Sequence, residues 1–151
     1  MPRTIRDRAF QVWWRLRRPM TLGVRGLVRD SDGRVLLVKH TYTPGWHFPG
    51  GGVEKGETAL VSLARELEEE AGVRPTAPPA LIGVFANARN FPNDHVLLFD
   101  IRAWTEVPAT SRGEIAARRF FSLDELPADV TATTRRRLDE IAGRVAPSEE
   151  W

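Results

Sequence analysis

One α/β (α+β) domain organised around a single sheet is predicted by three observations. The 151 residues suffice for one core, with hydrophobic residues at 42% and charged residues at 28%. Short runs rich in valine, leucine and isoleucine alternate along the chain with segments of helical periodicity. No internal repeat, low-complexity tract or long linker divides the sequence.

The elements follow in order. Ile5, Ala9, Val12, Trp13 and Leu16 recur at helical spacing, and Pro19 stops that helix, which sets residues 1–19 apart as a basic amphipathic element before a domain at 20–151. Thr21–Arg29 and Arg34–His40 read as strands joined by the hairpin chemistry of Asp30-Ser31-Asp32-Gly33. A glycine-rich loop follows at Pro49–Gly52. Glu57–Ala71 is a predicted helix, with Leu60, Ala64, Leu67 and Ala71 on one stripe and Gly72 placed to end it. After a proline-marked turn (Pro75, Pro78, Pro79), Leu81–Ala86 and Val96–Trp104 are strand candidates around a loop at Arg89–Asp94. Ile115–Phe121 is a further strand, and a last helix spans Thr131–Val145.

Composition removes several classes of function. With no cysteine there is no disulfide framework, thiolate zinc site, iron–sulfur cluster or cysteine nucleophile. No apolar run approaches the roughly 18 to 20 residues that cross a bilayer, and arginines interrupt the apolar positions near the N-terminus, so the expected location is cytoplasmic. Net charge is +2, from 22 basic and 20 acidic residues, too even for a bulk nucleic-acid binder, and no stable nucleic-acid partner is expected. The charge is nevertheless uneven: Arg3, Arg6, Arg8, Arg15, Arg17 and Arg18 crowd the N-terminus, and acids concentrate between Glu54 and Glu70.

At about 100° per residue, Glu66, Glu69 and Glu70 fall within one sector roughly opposite the apolar stripe. Like charges so spaced cost a few tenths of a kcal/mol per pair, and a hard divalent cation such as Mg²⁺ or Mn²⁺ would offset the repulsion. A solvated acidic helix face is the plainer explanation of the run taken alone. The surroundings weigh against it. Gly51 is followed after five residues by Glu57 and after seven more by Arg65-Glu66-Leu67, then Glu69-Glu70, Gly72 and Val73. This pattern, G-x5-E-x7-R-E-U-x-E-E-x-G-U with U aliphatic, resembles the Nudix box at every specified position. At average composition its chance occurrence is on the order of 10⁻⁹ per start site. More loosely, Gly45–Glu54 resembles the family's lead-in to the box, and Glu114 through Phe120-Phe121 to Glu125-Leu126-Pro127 its last strand and exit.

The resemblance implies an α/β/α sandwich around a mixed sheet. It also implies a hydrolase that cleaves the pyrophosphate bond of a nucleoside diphosphate linked to another moiety, a nucleotide sugar or an ADP-ribose-like compound. A hydrolase of nucleoside triphosphates or dinucleoside polyphosphates is the alternative within the class, and a nucleotide-sensing module without catalysis is the alternative outside it. The implied cofactor is Mg²⁺, with Mn²⁺ as a substitute. Carried over to this sequence, Glu66, Glu69, Glu70 and the carbonyl of Gly50 are the expected metal ligands. Glu57 and Arg65 are expected to brace the loop against the helix. Glu66 and Glu114 are the two candidates for the general base.

Arg25, His47, Phe48 and Arg89, with Asn90 and His95, are candidates for the substrate pocket: arginine for phosphate, phenylalanine for stacking on a base. Against this, a phenylalanine between apolar strands is usually core and scattered arginines are usually surface. His40, His47 and His95 show no metal-ligand spacing. For the N-terminal helix, packing on the sheet with its arginines in solvent is favoured over a weak contact with a membrane surface. A homodimer is compatible with the resemblance, since relatives are often dimers.

Overall fold

The computed structural model describes residues 5–111 and 113–151, with side chains inside the first helix described from Phe10 onward except Arg15. Arg3 and the side chains of Ile5, Arg6, Arg8, Ala9 and Arg15 lie outside what is described. The order of elements is α1 (Ile5–Arg17), β1 (Thr21–Val28), β2 (Val35–His40), β3 (Trp46–His47), α2 (Ala59–Glu66), a π-helical turn (Leu67–Ala71), β4 (Val73–Pro75), β5 (Ala80–Ala86), β6 (Asp94–Ile101), β7 (Trp104–Glu106), β8 (Ile115–Phe121) and α3 (Ala132–Ile141).

The strands form mixed pairings. β1 runs parallel to β6, which pairs antiparallel with β5, while β2 lies antiparallel between β3 and β8 and the short β4 and β7 pair with each other. The turn at Asp30 has the expected chemistry, its Oδ1 accepting from the amides of Asp32 at 3.0 Å and Arg34 at 2.9 Å. Beyond the Arg29–Val35 bridge, however, β1 and β2 separate instead of continuing as a hairpin.

Alternation along each strand feeds two cores. Val24 and Val28 of β1, Leu36 and Val38 of β2 and Phe99 and Ile101 of β6 meet Leu63, Leu67 and Ala71 on one side. Leu27, Val35, Leu37 and Leu98 point the other way, toward Phe48, Phe85 and Leu138 of α3. Strands buried on both faces explain why β2 reads as an unbroken apolar run.

Three sequence expectations are corrected. The helix from Thr58, whose side chain caps Val61 N at 3.2 Å, is α-helical only to Glu66 and closes through the π-helical turn to Gly72. The buried stripe is Ser62, Leu63, Leu67, Glu70 and Ala71, the wider turn bringing in Glu70, and Leu60 is 48% exposed. The expected strand Val96–Trp104 breaks after Ile101, where Arg102 folds back onto Asp100 at 2.6 Å and Trp104 opens β7. Finally, the favoured packing of α1 on the sheet is not seen among the described residues: every described apolar side chain in it is exposed, from Trp14 at 44% to Leu16 at 77%, and neither core includes one of them.

Candidate functional site

The glycine-rich loop is laid against β1 as an irregular extra strand. Gly26 N donates to Pro49 O at 2.9 Å, Val24 N to Gly51 O at 2.9 Å, and Val53 N to Leu22 O at 2.8 Å. At Gly50 the backbone has φ 140°, and a Cβ there would sit 2.1 Å from Val24 O, so only glycine fits. A Cβ on Gly51 would lie 2.5 Å from Glu66 Oε1, which shows how closely the loop backbone approaches that carboxylate. Ser62 of α2 ties the two together by donating to Gly52 O at 2.9 Å.

A cleft of about 350 Å³ opens at this junction, lined by Gly50–Gly52, Glu66, Glu70 and Glu114 together with Arg25, His40, Tyr42, Thr43 and His47. The π-helical turn carries Glu70 inward, where it is 7% exposed and held twice: Oε1 by His40 Nε2 at 2.9 Å and Oε2 by Gly50 N at 3.0 Å. Glu66 is held by Arg65 Nη1 at 2.8 Å. Burial pushes its carboxyl above the ordinary value, opposed by the Arg65 hydrogen bond and charge and assisted by the negative charges of Glu70 and Glu69.

Arg65 is the hinge of the arrangement. Its Nε and Nη2 each donate to Glu57 at 3.0 Å, its Nη1 to Glu66, and its position ties the loop residue Glu57 to the helix. Glu57 is held at about 2, primarily by the Arg65 hydrogen bonds. On the cleft floor, Arg25 donates to Phe48 O at 3.3 Å and to Gly50 O. Burial pulls this guanidinium below its ordinary value, against the negative charges of Glu70 and Glu66. Burial likewise lowers His47, whose ring nitrogen lies 3.1 Å from Pro44 O.

Several expected site residues are not brought together. Glu69 does not line this cleft; its carboxylate is 43% exposed and lies 3.5 Å from Arg65 Nη1. Among the described residues, no three acidic or imidazole side chains converge into a ready-made ion cage. The same Arg65 nitrogen stands between Glu66 and Glu69, so a guanidinium offsets the repulsion for which the sequence suggested a cation. Phe48 is not available for stacking on a base: it is 1% exposed in the core, and only its carbonyl reaches toward the site. Arg89 is elsewhere altogether. It pairs with Glu150 at 2.6 Å and, with Asn90, lines a larger cavity of about 610 Å³ beside α3 that shares no residue with the cleft. His95 lies in β6, paired with Leu22, and does not line the cleft either.

Conversely, His40 and Tyr42 line the cleft without having been singled out as site residues. Period-two alternation on β2 carried the signal for His40, since Leu36 and Val38 face the helix and the next such position is His40.

With this geometry in hand, the comparison with known proteins is direct. A family model described as the NUDIX domain matches residues 19–141. The chain belongs to the Nudix family. An ADP-ribose pyrophosphatase from Methanocaldococcus jannaschii is 32% identical over 113 residues, 70% of this chain and 64% of that protein. An RNA pyrophosphohydrolase from Halorhodospira halophila is 47% identical over 57 residues, but this is 38% of the chain and 31% of that relative. Among solved structures, a MutT Nudix hydrolase from Burkholderia pseudomallei superposes with TM-score 0.68 at 28% identity, covering 80% of this chain and 97% of the other. The box thus contributes Gly51, Gly52, Glu66 and Glu70 to the cleft, and its π-helical turn is the segment that carries Glu70.

Proposed function

We propose that this Nudix protein is a Mg²⁺-dependent pyrophosphohydrolase acting on a nucleoside diphosphate linked to another moiety, of ADP-ribose type. The observation that carries the reading is the convergence of Glu66 and Glu70 with the Gly50–Gly52 backbone and Arg25 in one cleft.

The donor set fits a hard divalent cation. It consists of carboxylate and carbonyl oxygens, and Gly51 leaves open against Glu66 the space that a Cβ would fill. Glu66, Glu70 and the Gly50 carbonyl would hold the ion, while Glu69 stays outside this cleft beside Arg65. The carbonyl already accepts from Arg25, but a second lone pair remains. Electrostatics argue the same way. Three carboxylates against one guanidinium make the cleft repel a pyrophosphate unless a cation is present. When bound, such an ion neutralises phosphate oxygens and acidifies a water.

The chain's own groups supply the rest. Side-chain-free backbone at Gly50–Gly52 lets a pyrophosphate approach, and Arg25 is positioned to pair with one of its oxygens. Glu66 or Glu114 accepts a proton from water as its oxygen bonds to phosphorus and the bond to the bridging oxygen breaks, releasing two phosphate products. The M. jannaschii relative, matched over 113 residues, supports the ADP-ribose class. A Bacillus subtilis relative named “Putative 8-oxo-dGTP diphosphatase”, 31% identical over 121 residues, supports the triphosphate alternative. The RNA pyrophosphohydrolase likeness is confined to 57 residues.

The test is hydrolysis of ADP-ribose, nucleotide sugars, triphosphates and dinucleoside polyphosphates with and without Mg²⁺, beside Glu70→Gln. Turnover that needs Mg²⁺, is fastest with ADP-ribose or a nucleotide sugar and falls at least about 100-fold in the variant is expected. Fastest turnover of a triphosphate would overturn the substrate class. Absence of turnover while calorimetry shows tight nucleotide binding would replace the enzyme with a sensor.

A further inference from the structure

We propose that α1 is an interfacial element that lays this protein on an anionic lipid surface. The inference stands independently of the hydrolase reading, because none of its described residues lines the cleft.

Charge comes first. The first twenty residues contain six arginines, and Asp7 is the only acid among them. Without this segment the net charge of +2 would turn negative, so the positive excess of the chain is concentrated in one element. The apolar content is equally concentrated. Phe10 is 61% exposed and Trp13 50%, and with Trp14 they form an exposed aromatic cluster with ring centroids 5.7 to 6.1 Å apart. Val12 and Leu16, one helical turn apart, extend the apolar surface. An apolar cluster of this kind in water is a surface without a partner.

The way the two features combine identifies the partner. Arg18 stacks over Trp14 at 4.6 Å and Arg17 over Trp13 at 5.9 Å. Each tryptophan therefore carries a guanidinium on its face, an apolar body joined to a phosphate-binding head. A bilayer interface offers both environments within a few ångströms, acyl chains for the rings and lipid phosphates for the guanidinium groups. A second copy of the chain suits the helix less well, because pairing α1 with itself sets arginines against arginines. A nucleic-acid backbone leaves Val12 and Leu16 without a role. At about 1.5 Å per residue the 13-residue helix is about 20 Å long, and no described helix is long and apolar enough to cross a membrane, so α1 lies along the surface instead of spanning it.

The experiment is co-sedimentation of the full chain with vesicles of phosphatidylcholine alone or containing about one third phosphatidylglycerol, at about 50 mM and about 300 mM salt. Binding to the anionic vesicles at low salt is expected, at least about tenfold stronger than to neutral ones and weakened by salt. Each arginine near such a surface multiplies partitioning about fivefold, so Arg17→Glu/Arg18→Glu should lower it by about 25-fold or more, while Arg17→Lys/Arg18→Lys retains most of it. Trp13→Ala/Trp14→Ala should weaken binding at both salt concentrations. Because Trp13, Trp14, Arg17 and Arg18 belong to neither core, all three variants should keep the thermal midpoint of the parent chain. No pelleting with anionic vesicles at low salt, equal binding to neutral ones, or unchanged binding in the charge-reversed variant would overturn the proposal. So would a concentration-dependent dimer, or an RNA complex, that the same variants abolish in the absence of vesicle binding.

Discussion

Arg65 holds both carboxylate oxygens of Glu57, each at 3.0 Å, and does so from the last turn of the helix that carries Glu66. This fork joins the loop to the helix at the point where the cleft opens. It has a pH signature. Glu57 is held at about 2 in the folded protein, below its ordinary 4.5. A depressed folded value means that the stabilisation is fully present above the unfolded value and disappears as pH falls through the folded one. The difference in thermal midpoint between the parent chain and Glu57→Gln should therefore be constant above about pH 5 and shrink between about 4.5 and 2. A gap that persists to pH 2 would mean that Glu57 stabilises the fold by something other than its charge.

Gly51→Ala separates the site from the fold. The added methyl would lie 2.5 Å from Glu66 Oε1, and the flexible end of Glu66 would move aside, not the backbone. Thermal stability should change little, while kcat/KM should fall about 100-fold, the scale of a misplaced catalytic group. Wild-type kinetics in a folded Gly51→Ala protein would remove Glu66 from the site.

Glu114 and Arg89 form a contrasting pair. Glu114 lines the cleft, so Glu114→Gln should cost more than about tenfold in kcat, and a smaller loss would exclude it as the base and leave Glu66. Arg89 is 81% exposed and bound to Glu150, and Arg89→Ala should leave kcat and KM within about twofold. Steady-state kinetics on the two variants decide both points.

Leu67 is fully buried at the start of the π-helical turn, with a methyl that would lie 2.8 Å from a Cβ on Gly26. Leu67→Ala should destabilise the protein by about 2 to 5 kcal/mol, read as a lower urea midpoint at unchanged slope. A loss below about 1 kcal/mol would mean that the strands collapse into the space vacated.

Much of this architecture could be read from residue order alone. The box, the five longer strands and the terminal helix stand out because periodicity and glycine placement are local signals, whereas the short β3, β4 and β7 do not. What escaped was set by contacts far apart in sequence. Glu69 and Glu70 are neighbours, yet Glu70 turns in toward His40, thirty residues earlier, while Glu69 remains beside Arg65. A uniform 100° repeat cannot express that divergence, because a π-helical turn is stabilised by packing and not by propensity. Phe48 and Arg89 were plausible by residue type, but one is claimed by the core and the other by Glu150. The N-terminal helix is legible as a helix, whereas the exposure of its described apolar side chains is a tertiary fact.

The π-helical turn has a consequence for how this chain can vary over evolutionary time. It acts as a phase shifter between the half of the helix that anchors Leu63 and the half that delivers Glu70. Substitutions within Leu67–Ala71 alter side chains one at a time, but insertion of a further residue ahead of Glu70 would, at about 100° per residue, rotate Glu70 away from Gly50. The spacing between Arg65 and Gly72 is therefore under stricter constraint than several of the residues that fill it. Composition across this segment is free to drift by comparison, but lengthening it by one residue would dismantle the site in one event.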